Sequence, residues 1–224
     1  MKQINIIWLD GINRVGKGTQ ANLLMRYFKN KLCETFILKG DGSRTWQWSD
    51  PIQDWYSPWW QHMQSRLKNK NELGWYDKEA WDLAGRKLDQ ELNDFCQIYM
   101  PQLLQDTNKK GIILLDRTIF SRYVRNLQYD NKCDIKELGS TIPDLLFLFK
   151  ADKDILLKRL EDDKDGNEQQ YLFRKNIITQ HIDLFNNTID EIPEILKDKT
   201  IVIDAAKTKE EIFDEMIASI STRL

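Results

Sequence analysis

The sequence predicts a three-layer α/β domain, a five-stranded parallel sheet flanked by helices. Three observations predict it. Five short apolar runs, several rich in β-branched residues, have the character of strands buried on both faces. Segments with helical spacing alternate with those runs, the pattern of parallel strands joined by crossover helices. A chain of 224 residues with 41% hydrophobic residues is long enough to bury one full core without disulfide or metal staples.

The first strand is expected at 4–9 (INIIWL), followed by a glycine turn. Residues 17–30 place Leu23, Leu24, Tyr27 and Phe28 at helical spacing. Residues 35–38 (TFIL) form the second strand, and 40–44 (GDGSR) a loop. Residues 46–75 hold two prolines and six tryptophans and are expected to be loop and short helix. A long helical pattern covers 77–106, with Pro101 near its last turns. Residues 112–115 (IILL) follow Gly111 as a strand, and 145–149 (LLFLF) follow Pro143 and Asp144 as the next. Helices are expected at 153–162, 168–190 and 207–221, with a short last strand at 201–203. The charged stretch EDDKDGNE (161–168) interrupts a helical region and reads as a mobile loop.

Composition excludes several classes. Lys and Arg number 33 and Asp and Glu 35, a net charge of −2, so no global basic footprint favours nucleic acid as partner. Cys33, Cys96 and Cys133 are odd in number and widely spaced, which matches neither a disulfide framework nor a zinc pattern and suits a reducing compartment. The apolar run at the start is too short for a signal peptide or membrane span, so the expectation is a cytoplasmic protein without a membrane partner. His62 and His181 have no metal-ligand partner at useful spacing, and no Ser-His-Asp or Cys-His arrangement stands out.

The sharpest signal is Gly11-Ile12-Asn13-Arg14-Val15-Gly16-Lys17-Gly18-Thr19. It lies between an expected strand and an expected helix, the context that gives a G-x-x-x-x-G-K pattern meaning. Glycines let the backbone curl until several N–H groups point inward, and the helix N-terminus adds positive partial charge. Lys17 supplies a point charge for the β- and γ-phosphates of a nucleotide. The strict pattern continues with Ser or Thr, whereas this chain has Gly18 and then Thr19.

The segment LDGINRVGKGTQANLLMRYF resembles the opening of thymidylate kinases, and its GKGTQ ending resembles adenylate kinases. Both are nucleoside monophosphate kinases with a P-loop fold. The resemblance continues in order through GSRT (42–45), LAGRK (83–87), LLDRTIFSRYV (114–124), IPDLLFLFKADKDILLKRL (142–160) and IVIDAAKTKEEIFDEM (201–216), and is weakest across 46–80. It implies a single P-loop nucleotide kinase domain over 1–224, with a Trp-rich acceptor-side insert at about 45–80 and a short lid at about 161–170. The implied activity is ATP-dependent phosphoryl transfer to a nucleoside monophosphate, dTMP or a related nucleotide, with Mg2+. A homodimer is implied as well.

That chemistry crowds anionic oxygens together and calls for cations converging from several elements. The resemblance assigns catalytic roles to Lys17, Arg14, Asp116 and Arg117. Gly11, Asn13, Val15, Gly16, Lys17, Gly18 and Thr19 would hold the donor, and Arg159 would stack on its adenine. Asn13, Arg44, Arg86 and Arg117 would meet the acceptor, the arginines because their bidentate geometry matches phosphate. Thr19 and Asp116 would serve the metal, and Asp10 either reaches it through water or braces the loop.

The departures from the pattern fall on the acceptor side. Asn13 stands for the usual Asp, Thr118 for Tyr or His, Arg125-Asn126 for Tyr-Gln, and Asp82 for an aromatic. All eight tryptophans lie at or before position 81, seven of them between Trp46 and Trp81. They form either an aromatic platform for a base or a core or subunit interface. Two alternatives therefore stay open beside the monophosphate kinase: a P-loop kinase acting on a modified nucleotide, a nucleoside or a polynucleotide base, and a non-catalytic nucleotide-binding protein.

Overall fold

The apolar runs become strands because each can bury both faces, and parallel strands need helices on both sides to do so. In the computed structural model, residues 4–31, 33–39, 86, 89–90, 93–105, 109–116, 118–127, 134–138, 141–162 and 168–224 are described. The strands are β1 (Ile4–Asp10), β2 (Glu34–Lys39), β3 (Gly111–Asp116), β4 (Leu145–Lys150) and β5 (Thr200–Asp204). They form one parallel sheet in the order β2-β3-β1-β4-β5. β1, β3 and β4, the three interior strands, are buried almost throughout. The Cα register sets Leu9 opposite both Asp116 of β3 and Phe147 of β4.

Among the described residues, helices with defined limits are α1 (Lys17–Asn30), α2 (Met100–Leu104), α3 (Ile119–Asn126), α4 (Lys153–Asp162), α5 (Glu168–Asp190), α6 (Glu194–Lys197) and α7 (Lys209–Arg223). The chain moves one way across the sheet from β1 to β2, and the opposite way from β2 to β3, β3 to β4 and β4 to β5. Right-handed crossovers therefore put α1 on one face and the later crossover helices on the other. α7 packs against α1, β4 and β5. The core joins both layers through fully buried Trp8, Leu24, Phe120, Phe147, Phe149 and Leu156.

The expected strands fall within one residue of the observed ends, and α1, α4 and α5 have the expected limits. Two differences have local causes. The long helical pattern ending near residue 106 carries a π-helical turn at Phe95–Tyr99, which ends two residues before Pro101. Proline lacks a donor and its ring crowds the carbonyl four residues back, so a widened turn relieves that clash. The last helix starts at Lys209 instead of 207, because Thr208 caps it. The Thr208 hydroxyl accepts from Glu211 N at 3.2 Å, and the Glu211 carboxylate accepts from Thr208 N at 2.9 Å.

Asp144 extends the pairing of β1 with β4. Its N–H donates to Ile6 O at 2.8 Å and its carboxylate accepts from Ile6 N at 2.8 Å. No described helix is long and apolar enough to cross a membrane. Burial pushes the Cys33 thiol up, with nearby Lys110 acting against it, so it is not a ready thiolate. The Trp-rich segment, Arg44, Arg117, Asp82, His62 and Cys133 lie outside the described residues, as do 163–167 of the expected lid.

Candidate phosphate-binding site

The site is built at the carboxyl end of the sheet, where β1 and β3 lie side by side. Ligands bind at these strand ends in open α/β sheets. After Asp10 the chain turns sharply through Gly11, whose φ is +143°. A β-carbon there would lie 2.7 Å from Phe149 O, so only glycine lets β1 pass this close to the end of β4. Arg14 adopts a left-handed φ of +72° and Gly16 one of +102°. These reversals curl residues 11–16 back over the start of α1.

Gly16 is the N-cap residue of α1 and gives it no side-chain cap, and no acidic residue sits in the first turn. The helix dipole favours an anion at this end. Lys17, the first residue of α1, is buried, and its Nζ donates to Gly11 O at 2.7 Å and Ile12 O at 3.0 Å. The ammonium is held inside the loop by two carbonyls.

Val15 is fully buried and anchors the loop, while Asn13 and Arg14 are half-buried. Asp116 ends β3, almost wholly buried. A β-carbon on Gly18 would lie 3.8 Å from its Oδ2, so position 18 faces this carboxylate. Thr19, next along α1, is exposed. Arg159 on α4 reaches the loop from the far side, donating to Arg14 O at 3.3 Å and to Ala205 O at 2.6 Å. The loop, α4 and the turn after β5 therefore meet at one guanidinium. Gln20 adds a second tie, its Nε2 donating to Lys209 O at 2.9 Å.

Of the expected acceptor residues, Asn13 lies in this cluster, and Arg86 is helical with an exposed side chain. Thr118 is 4% exposed and turned inward onto Asp10. Asp10 is a brace. Its fully buried carboxylate accepts from Gly11 N, Thr118 N and Oγ1, and Ser121 N and Oγ. Sequence reasoning missed the tie made by Gln20 and the burial of Arg122, which is 5% exposed on α3. The TQ that follows the loop lysine was the signal for Gln20. Nothing in an amphipathic eight-residue helix singled out Arg122.

Among the described residues no group of three or more His, Cys, Asp or Glu could hold a metal ion. Asp116 beside the first turn of α1 nonetheless suits Mg2+, which in phosphoryl-transfer sites takes one or two carboxylates and leaves the rest of its shell to phosphates and water.

A strand, a lysine-bearing loop and a helix N-terminus on a five-stranded parallel sheet define a P-loop α/β fold. Comparison narrows this. The thymidylate kinase of Candida albicans superposes with a TM-score of 0.58 over 98% of this chain and 92% of that one, at 17% identity. That of Ehrlichia chaffeensis gives 0.56 over 97% and 98%, at 18% identity. The thymidylate kinase of Malacoplasma penetrans (strain HF-2) is 30% identical over 129 residues, which make up 54% of this chain and 60% of that protein. No family model matches. The chain has the fold of the thymidylate kinases and is thymidylate kinase-like in part of its sequence.

Proposed function

We propose that the chain is an ATP-dependent nucleoside monophosphate kinase whose acceptor is dTMP or a related deoxynucleotide. The observation that carries this reading is the convergence of Lys17, Arg14, Asp116 and Arg159 on one loop at the carboxyl ends of β1 and β3. The similarity to thymidylate kinases points the same way.

In this reading the amides of residues 14–19 surround the β- and γ-phosphates, and Lys17 exchanges the carbonyls of Gly11 and Ile12 for phosphate oxygens. Arg14 puts its charge against the transferring phosphoryl group, where negative charge is stabilised as it spreads in the transition state. Asp116, directly or through water, and Thr19 would hold Mg2+, which would supply positive charge against the phosphates. Arg159 lays its face on the donor adenine while its edge stays on Arg14 O and Ala205 O. Arg44, Arg86 and Arg117 grip the acceptor phosphate in line, and Asn13 meets the acceptor sugar. The full reading is one domain with an acceptor-side insert at about 45–80 and a lid at about 161–170, acting in the cytoplasm as a homodimer.

The test is ADP formation from ATP and Mg2+ across a panel of ribo- and deoxynucleoside monophosphates. Turnover that requires a monophosphate, greatest with dTMP or a close analogue, supports the reading. Label moving from ATP only to single-stranded DNA or RNA would replace the acceptor class. Binding of ATP with no turnover on any acceptor would replace the enzyme with a nucleotide-binding protein.

A further inference from the structure

Asp10 stands where two segments of the candidate site meet. It closes β1 directly before the phosphate loop, and it takes the start of α3 directly after the Asp116-Arg117 pair. Its Oδ1 accepts from Gly11 N at 2.7 Å and from Ser121 Oγ. Its Oδ2 accepts from Thr118 N at 2.9 Å, Ser121 N at 3.0 Å and Thr118 Oγ1. An ionised carboxylate offers about four acceptor sites. Five donors saturate it, so it has nothing left for a metal or for a proton in transit.

The donors come from opposite sides of the site. Gly11 is the first residue of the loop, while Thr118 and Ser121 are 108 and 111 residues further along than Asp10. Thr118 is held from both directions, since its Oγ1 also accepts from Phe120 N at 3.1 Å. The sheet brings β1 and β3 together but does not fix the residues beyond their ends. This carboxylate does.

We propose that Asp10 is a positioning residue that locks residues 118–121 at the start of α3 to the first turn of the phosphate loop, and that Thr118 belongs to this brace and not to the acceptor pocket. The inference rests on the nucleotide-kinase reading of the loop. A shift of the order of 1 Å in a positioned group can cost a hundredfold in rate, so a brace of this kind acts on turnover as well as on stability.

Because Asp10→Asn would disturb five buried hydrogen bonds at once and threaten folding, the test uses T118V, which removes the Thr118 hydroxyl as a donor to Asp10 and as an acceptor from Phe120 N with little change in size, with T118S as its conservative control. Two readouts are taken on folded protein. The first is hydrogen exchange at residues 118–122 with and without a nonhydrolysable ATP analogue and Mg2+. Analogue binding should slow exchange there in wild type and in T118S, and much less in T118V. The second is steady-state kinetics: T118V should lower kcat by about tenfold or more, with the donor KM changed less than twofold and kcat restored in T118S. If T118V merely melts earlier, with the wild-type exchange response and wild-type kcat per folded molecule, the brace is structural only and the proposal falls. If the wild-type chain binds no analogue, the kinase reading itself falls and takes the brace's role with it. Analogue binding without any response at 118–122 in wild type overturns the brace alone.

Discussion

The guanidinium of Arg159 donates to the backbone carbonyl of Arg14, 3.3 Å away and 145 residues earlier in the chain. The same group donates to Ala205 O at 2.6 Å. One side chain thus ties a loop residue of unfavourable backbone conformation to the turn that follows the last strand. Arg159→Ala should weaken binding of a nonhydrolysable ATP analogue by about tenfold, equivalent to about 1.4 kcal/mol, with acceptor KM little changed. Arg159→Lys should rescue little, because an ammonium has no flat face to lay on the donor adenine and no planar fork to hold Arg14 O and Ala205 O at the same time. Calorimetric titration checks both. Unchanged affinity in the alanine variant would remove Arg159 from the donor site.

Lys17→Ala should lower turnover by about a hundredfold to a thousandfold, the scale for losing one preorganised charge donor. The melting temperature should fall only slightly, since the ammonium bonds two carbonyls that water can also satisfy. A variant with wild-type kcat would show that Lys17 does not meet the phosphates.

Gly11 and Gly16 should respond differently to alanine. At Gly11 the new β-carbon meets Phe149 O at 2.7 Å, a backbone atom that cannot step aside cheaply. At Gly16 nothing lies within 4 Å, and only the left-handed φ opposes the change. Gly16→Ala should cost about 1–2 kcal/mol by backbone strain, and Gly11→Ala distinctly more. Urea unfolding of both variants decides this, and equal losses would contradict the packing argument.

Gly18→Ser should leave stability unchanged, because its β-carbon makes only ordinary contact 3.8 Å from Asp116 Oδ2. The added hydroxyl stands beside that carboxylate, where a P-loop serine helps hold Mg2+. Analogue binding should then saturate at a lower Mg2+ concentration than in wild type. A Mg2+ dependence identical to wild type would place the metal away from position 18.

Thr208→Ala should cost about 1 kcal/mol, the usual value of a lost N-cap. Hydrogen bonds from Thr208 hold the Glu211 carboxyl below its ordinary range. The lowered folded-state value means that its stabilisation is present above the unfolded value, about 4.3, and is lost as pH falls through the folded one. The melting temperatures of wild type and Glu211→Gln should therefore differ at neutral pH and converge in acid. A difference that persists unchanged in acid would contradict the cap.

The strands and α1 were legible because their signals are local: apolar runs such as LLFLF, and the spacing of Leu24 and Phe28. The phosphate loop was legible because its glycines and lysine have one geometry that suits them between a strand and a helix. The strand order was not, since parallel pairing depends on contacts between residues more than a hundred positions apart, such as Leu9 with Asp116. Thr208-x-x-Glu211 carried a readable capping pattern, and it accounts for the late start of α7. Asp10 was ambiguous for a physical reason. A carboxylate at a strand end looks the same in sequence whether it faces a metal or five hydrogen-bond donors, and only the fold brings Thr118 and Ser121 to it.

The most direct measurement is a crystal structure of the protein with Mg2+ and a nonhydrolysable ATP analogue. The account predicts the triphosphate inside the turn of residues 11–19, with Lys17 Nζ moved from the carbonyls of Gly11 and Ile12 onto its oxygens. An analogue bound elsewhere, with that turn empty and Lys17 still on both carbonyls, would contradict it.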